Sequence, residues 1–136
     1  MGEVPSPSLF PLQEHWSTDL KQSALFPPVY DKKQAYVALR DGTLAAVSLL
    51  DGSITWSAER VTRVSPAVGD GLVVVAYEGI LLALRTTDGA LMWRTDLGAT
   101  VSAPLLWKGG WLVAALHNGN VVTLRGADGL ELWRHP

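Results

Sequence analysis

The sequence predicts an all-β fold made of repeated four-stranded antiparallel sheets, and three observations support it. A 16-residue pattern occurs three times without gaps, at residues 41–56, 78–93 and 118–133. Short apolar runs rich in β-branched residues alternate with turn residues. No segment shows sustained helical periodicity with caps. Four-stranded units that repeat about every 40 residues are typical of β-propeller blades, so we predict a partial propeller of three blades.

The spacing inside the repeat is constant. A turn glycine and a tryptophan are 14 residues apart in each copy, at Gly42 and Trp56, Gly79 and Trp93, and Gly119 and Trp133. The aspartate of a second turn precedes each tryptophan by five residues, at Asp51, Asp88 and Asp128. Trp16 extends the series, and successive tryptophans are 40, 37 and 40 residues apart. All variation in length therefore falls before the first turn glycine, where loops absorb insertions at little cost.

The middle unit illustrates the four strands that each copy predicts. We expect them at Val64–Val68, Leu72–Tyr77, Leu81–Arg85 and Ala90–Thr95. The second is a continuous apolar run, as expected for a strand that is covered on both faces. Pro66 fits an innermost edge strand, where the loss of one backbone donor is tolerated.

Turn residues separate these strands. Asp41-Gly42, Glu78-Gly79 and Asn118-Gly119 each predict a tight hairpin of type I′. The second turn of each copy contains an Asp-Gly pair, whose glycine takes a conformation that other residues adopt poorly. The aspartate there is predicted to cap the turn backbone. These positions are Asp51 and Gly52, Asp88 and Gly89, and Asp128 and Gly129.

The repeat divides the chain into predicted units. Residues 1–12 form a Pro- and Ser-rich tail, and residues 13–20, which include Trp16, form the outer strand of a neighbouring blade. The three blades are predicted to span residues 21–57, 58–95 and 96–136. Three blades leave an arc whose end faces would expose apolar surface. We therefore expect homo-oligomers that close a ring, or packing against the remainder of a larger propeller; an excised fragment that only assembles is a further interpretation.

Composition excludes several function classes. The net charge is −2, from 11 basic and 13 acidic residues without long runs of one sign, which argues against nucleic-acid binding. No apolar stretch approaches the ~20 residues that insertion into a membrane requires. There is no cysteine for a thiol nucleophile or a Cys-based zinc site. His15, His117 and His135 do not cluster, and Ser65 and Ser102 lack an adjacent base, so we predict no catalytic, cofactor-binding or metal site.

These motifs resemble the pyrroloquinoline-quinone-type (PQQ-like) propeller repeats. Blades of that family read roughly Ser-x-Pro, an apolar strand, Asp-Gly, Leu-x-Ala-Leu and Gly-x-x-x-Trp. Here the pattern appears as Ser65-Pro66, Leu72–Ala76, Glu78-Gly79, Leu81–Leu84 and Gly89–Trp93. The resemblance covers the chain from Trp16 to Trp133, and it implies that the repeated tryptophan docks one blade on the next. The Trp-Asp dipeptide of another propeller family is absent, because Trp56, Trp93 and Trp133 precede Ser57, Arg94 and Arg134.

One segment departs from the repeat. Trp107 and Trp111 flank the Gly109-Gly110 turn, where the middle blade has Asp70-Gly71. Two interpretations remain open: a cross-strand tryptophan pair that covers a blade edge, and an aromatic contact patch for a partner. Tyr30 and Tyr77 are further candidates for interaction.

Two function classes follow from the resemblance. The first is a non-catalytic scaffold that binds proteins, similar to the propellers of the outer-membrane-protein assembly lipoprotein (BamB-like). The second is part of a PQQ-dependent alcohol or sugar dehydrogenase, which would need a quinone, a calcium ion and a catalytic aspartate in loops that this sequence lacks, and which often carries an adjacent cysteine pair. We favour the scaffold, with no cofactor. The resemblance suggests a periplasmic or extracytoplasmic location, although residues 1–11 do not look like a signal peptide.

Overall fold

The computed structural model describes residues 24–136. Within them the chain forms three antiparallel four-stranded sheets and no helix, which confirms the predicted all-β fold. Sheet 1 contains β1 (Val29–Tyr30), β2 (Gln34–Ala38), β3 (Thr43–Ser48) and β4 (Ile54–Glu59). Sheet 2 contains β5 (Ala67–Gly69), β6 (Leu72–Tyr77), β7 (Ile80–Arg85) and β8 (Leu91–Asp96). Sheet 3 contains β9 (Leu106–Lys108), β10 (Trp111–Ala115), β11 (Val121–Arg125) and β12 (Glu131–His135).

Each sheet is a simple meander in which every strand pairs with the next one in sequence. The predicted tail at residues 1–12 and the predicted strand at residues 13–20, with Trp16, lie outside the described residues. Strands β4 and β8 continue to Glu59 and Asp96, slightly beyond the predicted unit ends at residues 57 and 95. The division of the chain into these units stays a prediction.

The innermost strand of sheet 2 differs from the sequence prediction. The strand expected at Val64–Val68 instead spans Ala67–Gly69, so Pro66 precedes it and lies buried outside the ladder. The residues just before this strand form a side-chain hydrogen bond instead of strand pairing: the hydroxyl of Thr62 donates to the carbonyl of Val64 at 2.7 Å. This connection satisfies backbone groups through a side chain, which a strand pattern does not reveal.

The prediction of type I′ hairpins was wrong for all three turns between a second and a third strand, because type I′ requires positive φ at both central residues and Gly79 does not have it in sheet 2. Gly42 and Gly119 have φ of 90° and 91°, but Asp41 and Asn118 do not take positive φ, as type I′ requires. The N–H of Gly42 donates to the carbonyl of Leu39, and the N–H of Leu39 donates to the carbonyl of Thr43. This pattern indicates a three-residue turn whose third residue, the glycine, has the left-handed conformation. In sheet 2 the left-handed residue is Glu78, with φ of 57°.

Two apolar seams join the three sheets. The first seam lies between sheets 1 and 2, and the second seam lies between sheets 2 and 3. Alternate residues of the central strands point into each seam, as the period of a strand requires. The first seam contains Tyr36, Ala38, Leu44, Ala46, Val73, Val75 and Leu84. The second seam includes Val74, Ala76, Leu81, Ala83, Leu112, Ala114, Val122 and Leu124.

A tryptophan on the outermost strand crosses each seam. The indole N–H of Trp56 donates to the carbonyl of Thr86 at 2.7 Å, and that of Trp93 donates to the carbonyl of Gly126 at 2.8 Å. A β-carbon at Gly129 would lie 2.4 Å from Cε3 of Trp93, and Gly129 has φ of 76°. This glycine is therefore required both by the turn and by the ring above it. Gly89 stands in the same relation to Trp56.

A β-bulge places each of these tryptophans. Trp93 pairs with Ala83 while Leu91 pairs with Leu84, so Met92 has no partner in the ladder. Sheets 1 and 3 show the same shift one residue before their tryptophan. A bulge turns the strand locally and changes where the following side chain points. The sequence analysis did not identify this bulge, because one extra residue leaves the repeat spacing unchanged.

We predict that the tryptophans differ in their contribution to stability. Replacing Trp93, which is 9% exposed, by alanine should lower the free energy of unfolding by about 3–5 kcal/mol, because it removes a buried ring and leaves a cavity. Trp133→Ala should cost clearly less, because this ring is 41% exposed. Denaturant unfolding of both variants measures the difference. Equal losses would show that the indole contact across a seam does not determine stability.

Candidate functional site

The face of sheet 3 that points away from sheet 2 is open within the described residues. In sheets 1 and 2 the equivalent side chains point into a seam. The equivalence follows from the strand register, because Trp133 pairs with Thr123 as Trp93 pairs with Ala83. Three large residues on it are exposed: Leu106 by 57%, Trp111 by 55% and Trp133 by 41%. We call this surface the open face. By strand register it comprises Leu106, Lys108, Trp111, Val113, Ala115, Val121, Thr123, Arg125, Trp133 and His135, of which Thr123 at its centre is fully buried.

The opposite end of the arc is different. Ala35, Val37, Ala45 and Val47 lie on the face of sheet 1 that points away from sheet 2, and each is at most 2% exposed. The two end faces are therefore not equivalent: one is covered and the other is available. An exposed apolar patch, such as the one on the open face, commonly marks a surface that contacts another protein.

The two additional tryptophans do not form a cross-strand pair. Trp111 pairs with Lys108, and Trp107 pairs with Leu112, so the two indoles point to opposite faces of sheet 3. Trp107 points toward sheet 2, where a β-carbon at Gly69 would lie 2.2 Å from its Nε1. Trp107 therefore packs between sheets, while Trp111 alone reaches the open face.

The two tyrosines named as interaction candidates lie elsewhere. Tyr30 is 52% exposed on β1, and Tyr77 is 37% exposed at the end of β6. The guanidinium of Arg63 lies 5.1 Å from the centre of the Tyr77 ring, which is a cation–π contact. The structure thus distributes the four aromatic candidates over three sheets instead of joining them in one patch.

A polar cleft of about 360 Å³ opens at the first seam. Gln34 lies at its centre: its side-chain amide donates to the Tyr36 hydroxyl at 2.9 Å and to the Thr86 carbonyl at 2.7 Å. Its amide oxygen accepts a short hydrogen bond from the Thr55 hydroxyl. Every residue that lines the cleft is polar, namely Asp31, Lys33, Gln34, Ser48, Thr55, Thr86 and Thr87. Sequence reasoning missed this site, because its central hydrogen bond joins Gln34 and Thr86, which are 52 residues apart.

Two titratable groups in the cleft are coupled. The Tyr36 hydroxyl donates to Asp31 at 2.7 Å, and the backbone N–H groups of Lys33 and Gln34 donate to the same carboxylate at 2.8 Å. Burial alone would raise the pKa of Asp31, but these hydrogen bonds outweigh it and the net shift is downward. Burial, followed by the hydrogen bond to Asp31, raises the pKa of Tyr36. At neutral pH the cleft therefore holds a charged carboxylate and a neutral phenol.

The repeated turn aspartates lie in separate sheets and are held by their own turns. Asp88 and Asp128 form bidentate ion pairs with Arg85 and Arg125, with shortest distances of 2.6 Å in both. Asp51 has no such arginine and accepts instead from the backbone and hydroxyl of Ser53. The hydrogen bond from Arg85, and then that from the Ala90 N–H, lowers the pKa of Asp88 to about 2.

The described residues offer no assembled acid–base or metal chemistry. No group of three or more His, Asp or Glu side chains within residues 24–136 is placed to hold a metal ion. His117 is exposed beside the β10–β11 turn, and the ring of His135 lies 5.0 Å from the Trp133 ring at a tilt of 55°. His15 lies outside the described residues. No helix in the described part of the chain could span a membrane.

Comparison with known proteins gives a consistent result. The family model described as outer membrane protein assembly factor BamB matches residues 13–69 and 61–136. The outer membrane protein assembly factor BamB of Nitrosomonas eutropha is 29% identical over 133 residues, which cover 94% of this chain and 32% of that protein. The crystal structure of BamB from Moraxella catarrhalis superposes with a TM-score of 0.69 at 25% identity, covering 79% of this chain and 34% of that one.

A second structural likeness concerns the fold alone. The quinohemoprotein alcohol dehydrogenase from Comamonas testosteroni has a TM-score of 0.72 but only 19% identity, covering 88% of this chain and 22% of that one. The chain spans about a third of the length of the assembly factors that it matches. The predicted PQQ-like, BamB-like propeller repeat is thus confirmed.

We predict that Asp88 titrates well below the ordinary aspartate pKa of 3.8. Because its folded pKa is lowered from 3.8 to about 2, it stabilises the fold above pH 3.8, and this contribution is lost as the pH falls from 3.8 toward 2. In Arg85→Gln the pKa of Asp88 should rise toward 3.8, whereas that of Asp51 should not change. Carbon-13 NMR titration of the carboxyl groups measures both, and an unchanged Asp88 would contradict the assignment.

Proposed function

The chain belongs to the family of the outer membrane protein assembly factor BamB, and from this membership we propose that it is a non-catalytic β-propeller scaffold that binds proteins during outer-membrane-protein assembly. The single observation that carries the proposal is the open face of sheet 3. A scaffold needs a surface that can be buried against a partner, and the open face exposes three large apolar or aromatic side chains, those of Leu106, Trp111 and Trp133. Tryptophans such as Trp111 are the residues that most often dominate binding energy at such surfaces.

A dehydrogenase role is the weaker alternative. The relatives with the greater sequence identity are named as assembly factors, while the likeness to the quinohemoprotein enzyme is one of fold. The turn aspartates Asp88 and Asp128 are engaged in turn caps and ion pairs. We therefore assign no catalytic role to them.

The same family membership supports an extracytoplasmic location, because the named relatives are outer membrane assembly factors. We propose the periplasmic side of the outer membrane as the place where this chain acts.

We also propose that, in the isolated chain, the open face pairs with the open face of a second copy when no other partner covers it. A ring closed head to tail would require the outer face of sheet 1, and Val37 and Val47 there are only 1% exposed. Two copies would therefore meet through their open faces. An interface formed in this way is isologous, with the same residues on both sides.

The scaffold role predicts a selective loss of function. In a strain that lacks the gene, the double substitution Leu106→Ser and Trp111→Ser should fail to restore the level of folded outer-membrane proteins. Leu50→Ser is the matched control, because Leu50 is 89% exposed and lies in a turn away from the open face. Full rescue by the double variant would contradict the proposal. Alcohol oxidation after addition of quinone and calcium would favour the dehydrogenase instead.

Self-association predicts a change in mass. The isolated chain should sediment at twice the mass of one copy, and Leu106→Ser with Trp111→Ser should return it to a monomer, because both residues lose apolar contact area. Analytical ultracentrifugation over a range of concentrations measures this. A concentrated wild-type monomer, or an oligomer that the double variant leaves unchanged, would exclude pairing through the open face.

A further inference from the structure

The face of sheet 1 that points away from sheet 2 is buried, although no described sheet packs against it. Among the described residues, only Leu39 and the partly buried Ala24 join its side chains in one apolar cluster. Two residues of this size do not keep water from a whole sheet face, so another segment has to cover it. We call it the covered face, and it comprises Ala35, Val37, Ala45 and Val47, each at most 2% exposed.

The covered face has a counterpart inside the arc. By strand register Val37 corresponds to Ala114 and Val47 to Leu124, both of which face sheet 2 from sheet 3. There the apolar cluster also contains Trp93, from the outermost strand of sheet 2, and Leu97, just after that strand. The covered face therefore has the pattern of a face that receives the outermost strand of a preceding sheet.

The turn that receives the tryptophan is also repeated in sheet 1. In sheet 3 the carbonyl of Gly126 accepts the indole N–H of Trp93, and Gly129 lies beneath the ring. Leu49 occupies the position of Gly126, since both donate their backbone N–H to the residue before the second strand of their own sheet. Gly52 has φ of 78°, against 76° for Gly129, and both glycines are buried. Sheet 1 thus has a carbonyl and a left-handed glycine where sheet 3 uses them to hold an indole.

Residues 16–20, which lie outside the described residues, repeat the segment that covers sheet 3. They read Trp-Ser-Thr-Asp-Leu, and residues 93–97 read Trp-Arg-Thr-Asp-Leu. In the described copy the tryptophan crosses the seam, the Thr95 hydroxyl donates to the carbonyl of Gly129 at 2.8 Å, and Leu97 is 2% exposed. The side chains that attach residues 93–97 to sheet 3 are therefore all present in residues 16–20.

The connection to sheet 1 has the matching length. Ala24 packs against the covered face and forms an isolated bridge just after β2, and Val101 forms the same bridge just after β10. Trp16 precedes Ala24 by eight residues, as Trp93 precedes Val101. The chain can therefore bring its own tryptophan to the covered face by the path that it takes between sheets 2 and 3, and no second copy is needed.

We propose that residues 16–20 of the same chain occupy the covered face. The indole N–H of Trp16 donates to the carbonyl of Leu49, its ring lies over Gly52, and the Thr18 hydroxyl donates to the carbonyl of Gly52. The segment closes this end of the arc, so that the open face of sheet 3 is the end that a partner can reach. This inference does not depend on the proposed function, because it concerns a contact within the chain.

Nuclear magnetic resonance of the intact chain tests the proposal. The indole N–H of Trp16 should exchange with solvent as slowly as that of Trp93, which donates to a carbonyl, whereas that of the 55% exposed Trp111 should exchange fast. Nuclear Overhauser contacts should join the Trp16 ring to Gly52 within one molecule. Exchange of Trp16 at the rate of Trp111, or contacts found only between labelled and unlabelled copies in a mixed sample, would overturn the proposal.

A pair of glycine variants provides an independent test. Gly52→Ala and Gly98→Ala both place a side chain at positive φ, 78° and 81°, but a β-carbon at Gly98 meets nothing within 4 Å. Gly52→Ala should therefore lower the denaturant midpoint of unfolding more than Gly98→Ala does, because it also displaces the Trp16 ring. The difference should vanish in a Trp16→Ala background and remain in a Trp111→Ala background. Equal losses in the wild type, or a difference that persists without Trp16, would contradict the docking.

Discussion

This structure depends on one contact, the hydrogen bond from the tryptophan indole of one sheet to a turn carbonyl of the next sheet. It joins the outermost strand to the following sheet at the point where the apolar seam ends, and it closes that seam at its rim. Trp56 and Trp93 do this with nearly equal geometry, at 2.7 and 2.8 Å. A four-stranded sheet covered on one face only would be marginal in water, so each sheet needs its neighbour. The bulge before the tryptophan and the glycine beneath its ring both serve that contact.

The same contact explains why the two ends of the arc differ. Sheet 3 presents a complete set of seam-forming residues. Its Trp133 is 41% exposed, whereas Trp93, at the same position of sheet 2, is 9% exposed because sheet 3 covers it. The end of sheet 1 is already covered, as Val37 shows. The two ends of the arc therefore differ. Another sheet can pack on sheet 3 through the same indole contact that joins sheet 1 to sheet 2 and sheet 2 to sheet 3. This favours a scaffold, in which surface is the working part.

The two seams differ in the polarity of the side chains that close them, and this difference bears on function more directly than the repeated sequence pattern does. The second seam is closed by aliphatic side chains and by Trp107, which requires glycine at positions 69 and 126. The first seam also has an apolar centre, but at its rim the side-chain amide of Gln34 donates across the seam to the carbonyl of Thr86, beside Tyr36 and Asp31. An apolar rim gains stability from burial, whereas a polar rim must satisfy each buried group. Departures from a repeat are thus where specific recognition can arise on an otherwise regular fold.

The sequence by itself determined the sheets, their order and the positions of the docking residues, because these depend on a period of two along strands and on turn residues such as Gly89 that act locally. It did not determine which indole would be buried. Trp107 and Trp111 differ in fate because pairing with Leu112 and Lys108 sends them to opposite faces. Nor could it reveal the polar cleft, whose central bond joins Gln34 to Thr86 across 52 residues. Contacts between sheets depend on how the sheets pack, and only the tertiary structure decides that.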